Sequence, residues 1–182
     1  MDDVIKSKVL LVDDVEINCV ILAEIISSMG HEPLTATSAK EAIEIMKNDL
    51  PDLILLDISM PDMNGLEFCK LLKDDVYTRE IPVIFISALD SEEDLSSAFE
   101  TGAVDYILKP FEPMDVQVRV TTHLKLYHMQ RELEESNRRL NAVIKNRHAS
   151  DKGRQRSFMK TFGEIVMDKD RCRTHICGSE AD

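Results

Sequence analysis

The chain alternates five short runs of strand character, most of them apolar, with stretches of helical pattern. The runs cover 9–12, 31–37, 53–56, 82–87 and 104–108 of the 182 residues. The run 53–56 is too short for a buried helix, and its apolar residues indicate a strand that is covered on both faces. A repeated strand–helix unit predicts a parallel sheet with right-handed crossovers. The expected fold is therefore a three-layer α/β sandwich.

Glycine and serine residues mark the ends of the predicted helices, which cover 15–29, a stretch after Ser38, 65–73 and 91–102. Gly30 and Gly102 come at the ends of two of them, and glycine accepts the backbone conformation that often terminates a helix. Ser38 has the position and the side chain of an N-cap.

Polar side chains lie at the ends of four of the predicted strands. Asp13 and Asp14 follow the first strand, Asp57 the third and Lys109 the fifth, and Ser87 is the last residue of the fourth. Taken singly, each has a plain interpretation as a helix cap, a turn former or a solvated lysine. In a parallel sheet, however, all these strand ends lie at the same edge, so we expect the five side chains to converge.

Three carboxylates in one pocket repel one another, and a divalent cation relieves that repulsion. Oxygen ligands that leave room for water suit Mg²⁺ better than zinc or copper. An aspartate beside a cation and a lysine can accept a phosphoryl group, because aspartyl phosphates are known covalent intermediates. Lys109, the cation and the Ser87 hydroxyl would share the charge of the phosphoryl oxygens.

These motifs together resemble the receiver domain of two-component response regulators, over roughly residues 6–125. The motifs are Asp13-Asp14, Leu55-Leu56-Asp57, Met60-Pro61, Asn64-Gly65, Ile86-Ser87-Ala88, Gly102-Ala103-Val104-Asp105-Tyr106 and Lys109-Pro110-Phe111. The resemblance implies a flavodoxin-like (βα)5 sandwich with a five-stranded parallel sheet.

The resemblance also implies a role for each site residue. Asp57 would be the phosphoacceptor, and Lys109 would contact the phosphoryl group after a cis peptide bond to Pro110. The ligands of Mg²⁺ would be the carboxylates of Asp14 and Asp57, the backbone carbonyl of Ser59 and, through water, Asp13. The switch positions would be Ser87 and Tyr106. Asn18 resembles the residue found in receivers that are attached to histidine kinases and nucleotide cyclases.

The function expected from this resemblance is relay of a signal from a sensor histidine kinase or a phosphotransfer protein. Such a module is not an enzyme in the usual sense, since it catalyses only its own phosphorylation and dephosphorylation. Two alternatives stay open: the regulatory front of a larger cyclase, phosphodiesterase or kinase, and a single-domain regulator that docks onto a partner. A haloacid-dehalogenase-type phosphatase also uses an aspartate and Mg²⁺, but it needs a second aspartate where Ser59 stands.

Composition and charge limit the remaining possibilities. The net charge of −12 consists of −15 over the first 144 residues and +3 over 145–182, so nucleic-acid binding is not expected. The sequence contains no apolar run that could span a membrane and no secretory signal, which predicts a cytoplasmic protein. Cys19 and Cys69 fall inside predicted helices, where reduced and partly buried thiols are expected.

The end of the chain predicts a long helix and a tail. No Gly or Pro interrupts 114–152, and Leu126, Leu133 and Leu140 recur every seven residues, followed by Ile144. This pattern predicts an extended helix over 126–147 with a partial coiled-coil seam and a possible homodimer. The other core position of the seam holds Gln130 and Asn137, which fits either a register-setting role or a helix in solvent.

Residues 148–182 match no output domain, and we expect a disordered tail or the truncated start of one. Cys172, His175 and Cys177 lack a suitably spaced fourth ligand for a structural zinc site.

Overall fold

The computed structural model describes residues 6–88 and 99–142, and its sheet has five parallel strands. The strands are β1 (Lys8–Val12), β2 (Glu32–Ala36), β3 (Leu53–Asp57), β4 (Val83–Ser87) and β5 (Asp105–Leu108). Their order across the sheet is β2-β1-β3-β4-β5, and each neighbouring pair is parallel. The predicted alternation of strands and helices and the flavodoxin-like parallel sheet are confirmed.

Four helices of more than one turn lie in the described residues, and the last of them reaches residue 142, where the described residues end. They are α1 (Glu16–Ser28), α2 (Ala39–Asn48), α3 (Gly65–Asp74) and α4 (residues 113–142). The Ser38 side chain accepts a hydrogen bond from the Glu41 N–H, which confirms the predicted cap of α2. Of the helix predicted over 91–102, residues 99–102 lie in the described part of the chain, and 99–100 are helical. Gly102 has a φ of 91°.

The two faces of the sheet build two apolar cores, because successive side chains of a strand point to opposite faces. In β3, Ile54 and Leu56 belong to the core that α2 and α3 cover. Leu53 and Leu55 belong to the core that α1 and α4 cover. Burying one such side chain contributes about 1.5–3 kcal/mol to folding. Helices on both faces of one sheet form the predicted three-layer sandwich.

Helix α4 changes character along its length. Val116, Val120 and Leu124, spaced by four residues, are buried against the sheet. Leu126 is 56% exposed, and the described residues from 131 onward are all exposed. The first compact unit of the chain ends at Gln130. Beyond it, Glu134 pairs with Arg138 and Glu135 with Arg139, each at the four-residue spacing that supports a helix.

Other sequence predictions can be compared with the described residues. Cys19 and Cys69 are buried free thiols. Within the part of the chain that the structure describes, no helix is both long enough and apolar enough to cross a membrane. The tail 148–182, its candidate zinc ligands and Ile144 lie outside the described residues.

Candidate functional site

Three carboxylates meet at the carboxyl end of the sheet, between β1 and β3. These two strands lie side by side at the point where the strand order reverses, which is where open α/β sheets bind their ligands. Asp57 is the last residue of β3, and Asp13 and Asp14 directly follow β1. One oxygen from each of the three carboxylates lies within 4.8 Å of the others. Of the five side chains predicted to converge, these three carboxylates do so, and Lys109 joins them.

Lys109 links two of these carboxylates. Its Nζ lies 2.8 Å from Asp13 Oδ2 and 2.9 Å from Asp57 Oδ1. The Lys109 N–H donates to the Ser87 carbonyl at 2.8 Å, so the ends of β4 and β5 hold its backbone in place. The peptide bond between Lys109 and Pro110 is cis, as the resemblance implied.

Burial divides the three acids into two kinds. Asp13 and Asp57 are 1% and 4% exposed, whereas Asp14 is exposed to solvent. Burial raises the pKa of Asp57 above its ordinary value of 3.8. The hydrogen bond from Lys109 opposes that rise, and the charges of Asp13 and Asp14 add to it. The carboxylate of Asp57 is therefore held in its charged form at a cost in free energy.

For Lys109, in contrast, the neighbouring carboxylates outweigh the effect of burial on the pKa. Burial alone would lower the pKa of Lys109, but its hydrogen bonds to Asp13 and Asp57 outweigh this effect and raise the pKa above 10.5. Lys109 is therefore a fixed positive charge at neutral pH, placed between two carboxylates. The ammonium of Lys109 is therefore already placed to stabilise a negatively charged group that binds at Asp57.

Asn18 is a site residue whose contact the sequence did not predict. Its Nδ2 donates to both oxygens of Asp13, at 3.0 Å each. The sequence marked Asn18 only as a sign of a subfamily. A four-residue spacing from Asp14 suggests a neighbour on one helix face, but α1 begins at Glu16 and the contact is made with Asp13 instead.

The loop after Asp57 is pinned to the start of α3. The Gly65 N–H donates to the Ile58 carbonyl at 2.9 Å, and the Asn64 side chain caps α3 by accepting from Leu66 N–H. A Cβ at Gly65 would lie 2.2 Å from the Asp57 carbonyl oxygen, so only glycine fits at this position. Ser59, the predicted carbonyl ligand, is exposed within this loop.

The two predicted switch residues occupy different places. Ser87 is buried at the end of β4, one strand away from Asp57, which is paired in register with Ile86. Tyr106 lies on β5, away from the carboxylates. Its ring contacts Phe99 edge to face at 5.9 Å, and the Arg119 guanidinium lies 5.7 Å from the ring centre.

The donor set fits a small hard cation. Among the described residues, the one group of three or more potential ligands is the Asp13, Asp14 and Asp57 cluster, and all of its donors are carboxylate oxygens. Oxygen-only donors that leave part of the coordination shell to water are the kind that Mg²⁺ accepts. The exposed Asp14 keeps one side of the cluster open to solvent.

A family comparison identifies the class of protein to which this site and fold belong. The response regulator receiver domain matches residues 9–121. That match covers more than half of the chain, and the chain belongs to this family.

Individual relatives agree with this assignment. The response regulator PleD of Caulobacter vibrioides is 38% identical over 76% of this chain, which spans 31% of PleD. A Vibrio cholerae protein named "Probable cyclic di-GMP phosphodiesterase" is 38% identical over 69% of the chain, which spans 28% of that protein. The solved receiver domain of Francisella response regulator 1452 is 30% identical, with a TM-score of 0.61 over 66% of this chain and 98% of that one.

Proposed function

We propose that Asp57 accepts a phosphoryl group from a phosphohistidine of a sensor histidine kinase or a phosphotransfer protein. The observation that carries this proposal is the placement of a buried aspartate at the end of β3, with the Lys109 ammonium at 2.9 Å. Receiver domains are signalling modules that take phosphoryl groups from histidine kinases, and the match of this chain to that family supports the proposal.

The reaction needs little beyond positioning and charge. An Asp57 oxygen forms a bond to phosphorus while the bond between phosphorus and the donor's imidazole nitrogen breaks, and the imidazole keeps the electron pair. A carboxylate is already ionised at neutral pH, so no general base is required. Lys109 moves from the Asp57 oxygen to a phosphoryl oxygen, and the Ser87 hydroxyl donates to another.

Mg²⁺ would be held by Asp14, Asp57 and the Ser59 carbonyl, with Asp13 reached through water, and it would supply positive charge to the phosphoryl oxygens. The chain's own residues provide the rest. Ser87 and Tyr106 act as the switch: when the Ser87 hydroxyl turns toward the phosphoryl group, the Tyr106 ring is free to change its position. Such a change shifts populations between two states.

This chain presents an exposed apolar surface beside the site, on which the donor protein would dock. Ile17, Val20 and Ile21 lie in the first half of α1, directly after Asp13 and Asp14, and are between 42 and 59% exposed. A helix of the donor that covers these side chains would bring its phosphohistidine to the carboxyl end of β3.

The alternative role as the regulatory front of a longer signalling enzyme is supported by the relatives' lengths. The chain spans only 31% of PleD and 28% of the Vibrio cholerae protein, which is named as a probable phosphodiesterase. In this second proposal, the receiver is the input and α4 leads toward an output region of the longer protein.

Phosphorylation with a small donor tests the role of Asp57. Incubation with acetyl phosphate and Mg²⁺ should add the mass of one phosphoryl group to the intact chain, and chelation of the metal should prevent the addition. Asp57→Asn should remain unmodified, while Asp62→Asn, which changes an exposed acid of the same loop, should react as the parent does. Equal phosphorylation of the Asp57→Asn variant would show that another residue is the acceptor.

A further inference from the structure

The carboxylate of Asp13 is already fully hydrogen-bonded by the protein. Its Oδ1 accepts from the Val15 N–H at 2.9 Å and from Asn18 Nδ2 at 3.0 Å. Its Oδ2 accepts from Asn18 Nδ2 at 3.0 Å and from Lys109 Nζ at 2.8 Å. A carboxylate offers about four lone-pair positions. Each oxygen has two donor contacts, and the Asn18 amide, which lies 3.0 Å from both oxygens, takes part in both pairs.

The other two acids differ from Asp13 in this respect. Within residues 6–88 and 99–142, no hydrogen bond reaches either oxygen of Asp14, which faces solvent. Asp57 uses only Oδ1, in its contact with Lys109. A cation at the cluster can therefore bind Asp14 and Asp57 directly. To bind Asp13 directly, it would have to displace a protein donor.

We infer that Asn18 keeps Asp13 out of direct contact with the cation and so sets the preference of the site for Mg²⁺ over Ca²⁺. This inference rests on the proposed function, since it concerns the ion that the phosphorylation site would use. Mg²⁺ loses water reluctantly and retains several waters in its protein sites, so a water between it and Asp13 costs it little. Ca²⁺ takes six to eight oxygen ligands in flexible geometry and gains more from each added carboxylate.

Lys109 alone cannot maintain this arrangement. In the proposed reaction, its ammonium turns from the Asp57 oxygen to the phosphoryl group, which weakens its hold on Asp13 Oδ2. Asn18 then still holds both oxygens of Asp13 together with the Val15 N–H. Asn18 is thus a positioning residue: it acts on the ion through Asp13.

Removal of the Asn18 side chain should leave the fold intact. Asn18 lies in the first turn of α1, where its N–H donates to the Val15 carbonyl at 2.9 Å through the backbone. The side chain is only half-buried. Asn18→Leu keeps its approximate volume without a donor, and Asn18→Ala removes it. A matched control is Asn48→Leu. Asn48 is exposed at the end of α2, and its side-chain amide donates a hydrogen bond to the Glu44 carbonyl, away from the site.

Calorimetric titration of the full chain with Mg²⁺ and with Ca²⁺ measures the inferred preference. Both Asn18 variants should lower the ratio of the Ca²⁺ Kd to the Mg²⁺ Kd by about tenfold, the usual size of an effect from a residue behind a metal ligand. Asn48→Leu should keep the parent's ratio. Tb³⁺ luminescence decays in H₂O and D₂O give a direct count of bound waters, and the Asn18 variants should hold about one fewer than the parent.

The possible failures can be told apart. If Asn18 were only structural, its loss would weaken both ions together, and an unchanged ratio or an unchanged water count would overturn the inference. Asp14→Ala provides the separate test of the metal site, because Asp14 is a direct ligand in the proposed function and its loss should weaken Mg²⁺ binding strongly. A parent that binds neither ion, or an Asp14→Ala variant with unchanged affinity, would overturn the proposed site and this inference together.

Discussion

At the scale of single residues, Asp57 shows that the site carries a cost in stability. Its pKa lies above the ordinary 3.8 because burial and two neighbouring acids disfavour its charge more than Lys109 favours it. The folded state therefore binds this proton more tightly than the unfolded state does. It follows that the contribution of Asp57 to stability falls as the pH rises through the interval above 3.8. At neutral pH the charge opposes folding.

Replacing this charge should stabilise the free protein. We expect Asp57→Asn to raise the free energy of unfolding at neutral pH without Mg²⁺ by on the order of 1 kcal/mol, as relief of a destabilised functional site commonly does. Added Mg²⁺ should stabilise the parent more than the variant, since it binds the folded parent more tightly. Thermal unfolding followed by circular dichroism, with Asp62→Asn as control, measures both effects. A parent more stable than Asp57→Asn in chelator would contradict this account.

The sequence predicted the charged residues of the site better than the residues that orient them. Asp13, Asp14, Asp57 and Lys109 were found because each follows a strand, and all parallel strands end at one edge. The contact between Asn18 and Asp13 was not predicted, because it joins a loop residue to the first turn of a helix. Such a contact depends on how the chain turns between them, which no periodic pattern encodes.

At the scale of secondary structure, the sequence predicted the elements and most of their bounds. Gly30 marked the end of α1, and Ser38 marked the start of α2. The apolar strands predicted a layer of helices on each face of the sheet. The packing around Tyr106 could not be predicted from the sequence, because its neighbours Phe99 and Arg119 come from different segments. Register and side-chain partners depend on the assembled sheet.

One such set of partners ties β5 to α4. Asp105 Oδ1 accepts from Arg119, and its Oδ2 lies 3.0 Å from His123 Nε2. Burial raises the pKa of Asp105, but the hydrogen bonds from Arg119 and His123 outweigh burial and hold the pKa below 3.8. The resulting stabilisation is complete above pH 3.8 and is lost as the pH falls through the lower folded-state value.

Asp105→Asn should therefore lower the free energy of unfolding at neutral pH. Hydrogen bonds to charged groups contribute about 1.5–3 kcal/mol, and we expect the low end of that range because the Arg119 side chain is 37% exposed. The difference from the parent should shrink on acidification below pH 3.8, where the parent's carboxylate is also neutralised. Urea unfolding across this pH range measures it, with Asp74→Asn at the exposed end of α3 as control. A difference that stays constant with pH would mean that the charge of Asp105 is not involved.

At the scale of the whole molecule, α4 is the element that could carry a signal away from the site. The helix packs against the sheet through Val116, Val120 and Leu124, and its described residues continue to 142. Leu126, Leu133 and Leu140 are each more than half exposed at a seven-residue spacing. Exposed leucines in this pattern favour pairing with a second helix, which supports a homodimer as a proposal.

We expect phosphorylation, or a beryllium fluoride mimic with Mg²⁺, to strengthen a dimer formed through this seam. Coupling between two sites is typically 1–3 kcal/mol, so the dimer dissociation constant should fall by about 5- to 150-fold. A double variant, Leu133→Glu with Leu140→Glu, should stay monomeric with or without the mimic, because charge replaces the apolar seam. Ala142→Glu places the same charge on the opposite face of the helix and should dimerise as the parent does. Light scattering across a concentration series measures the response, and acetyl phosphate labelling checks that every variant still reacts at Asp57. If the double variant responds to the mimic as the parent does, the seam does not mediate the dimer and α4 is only a connection.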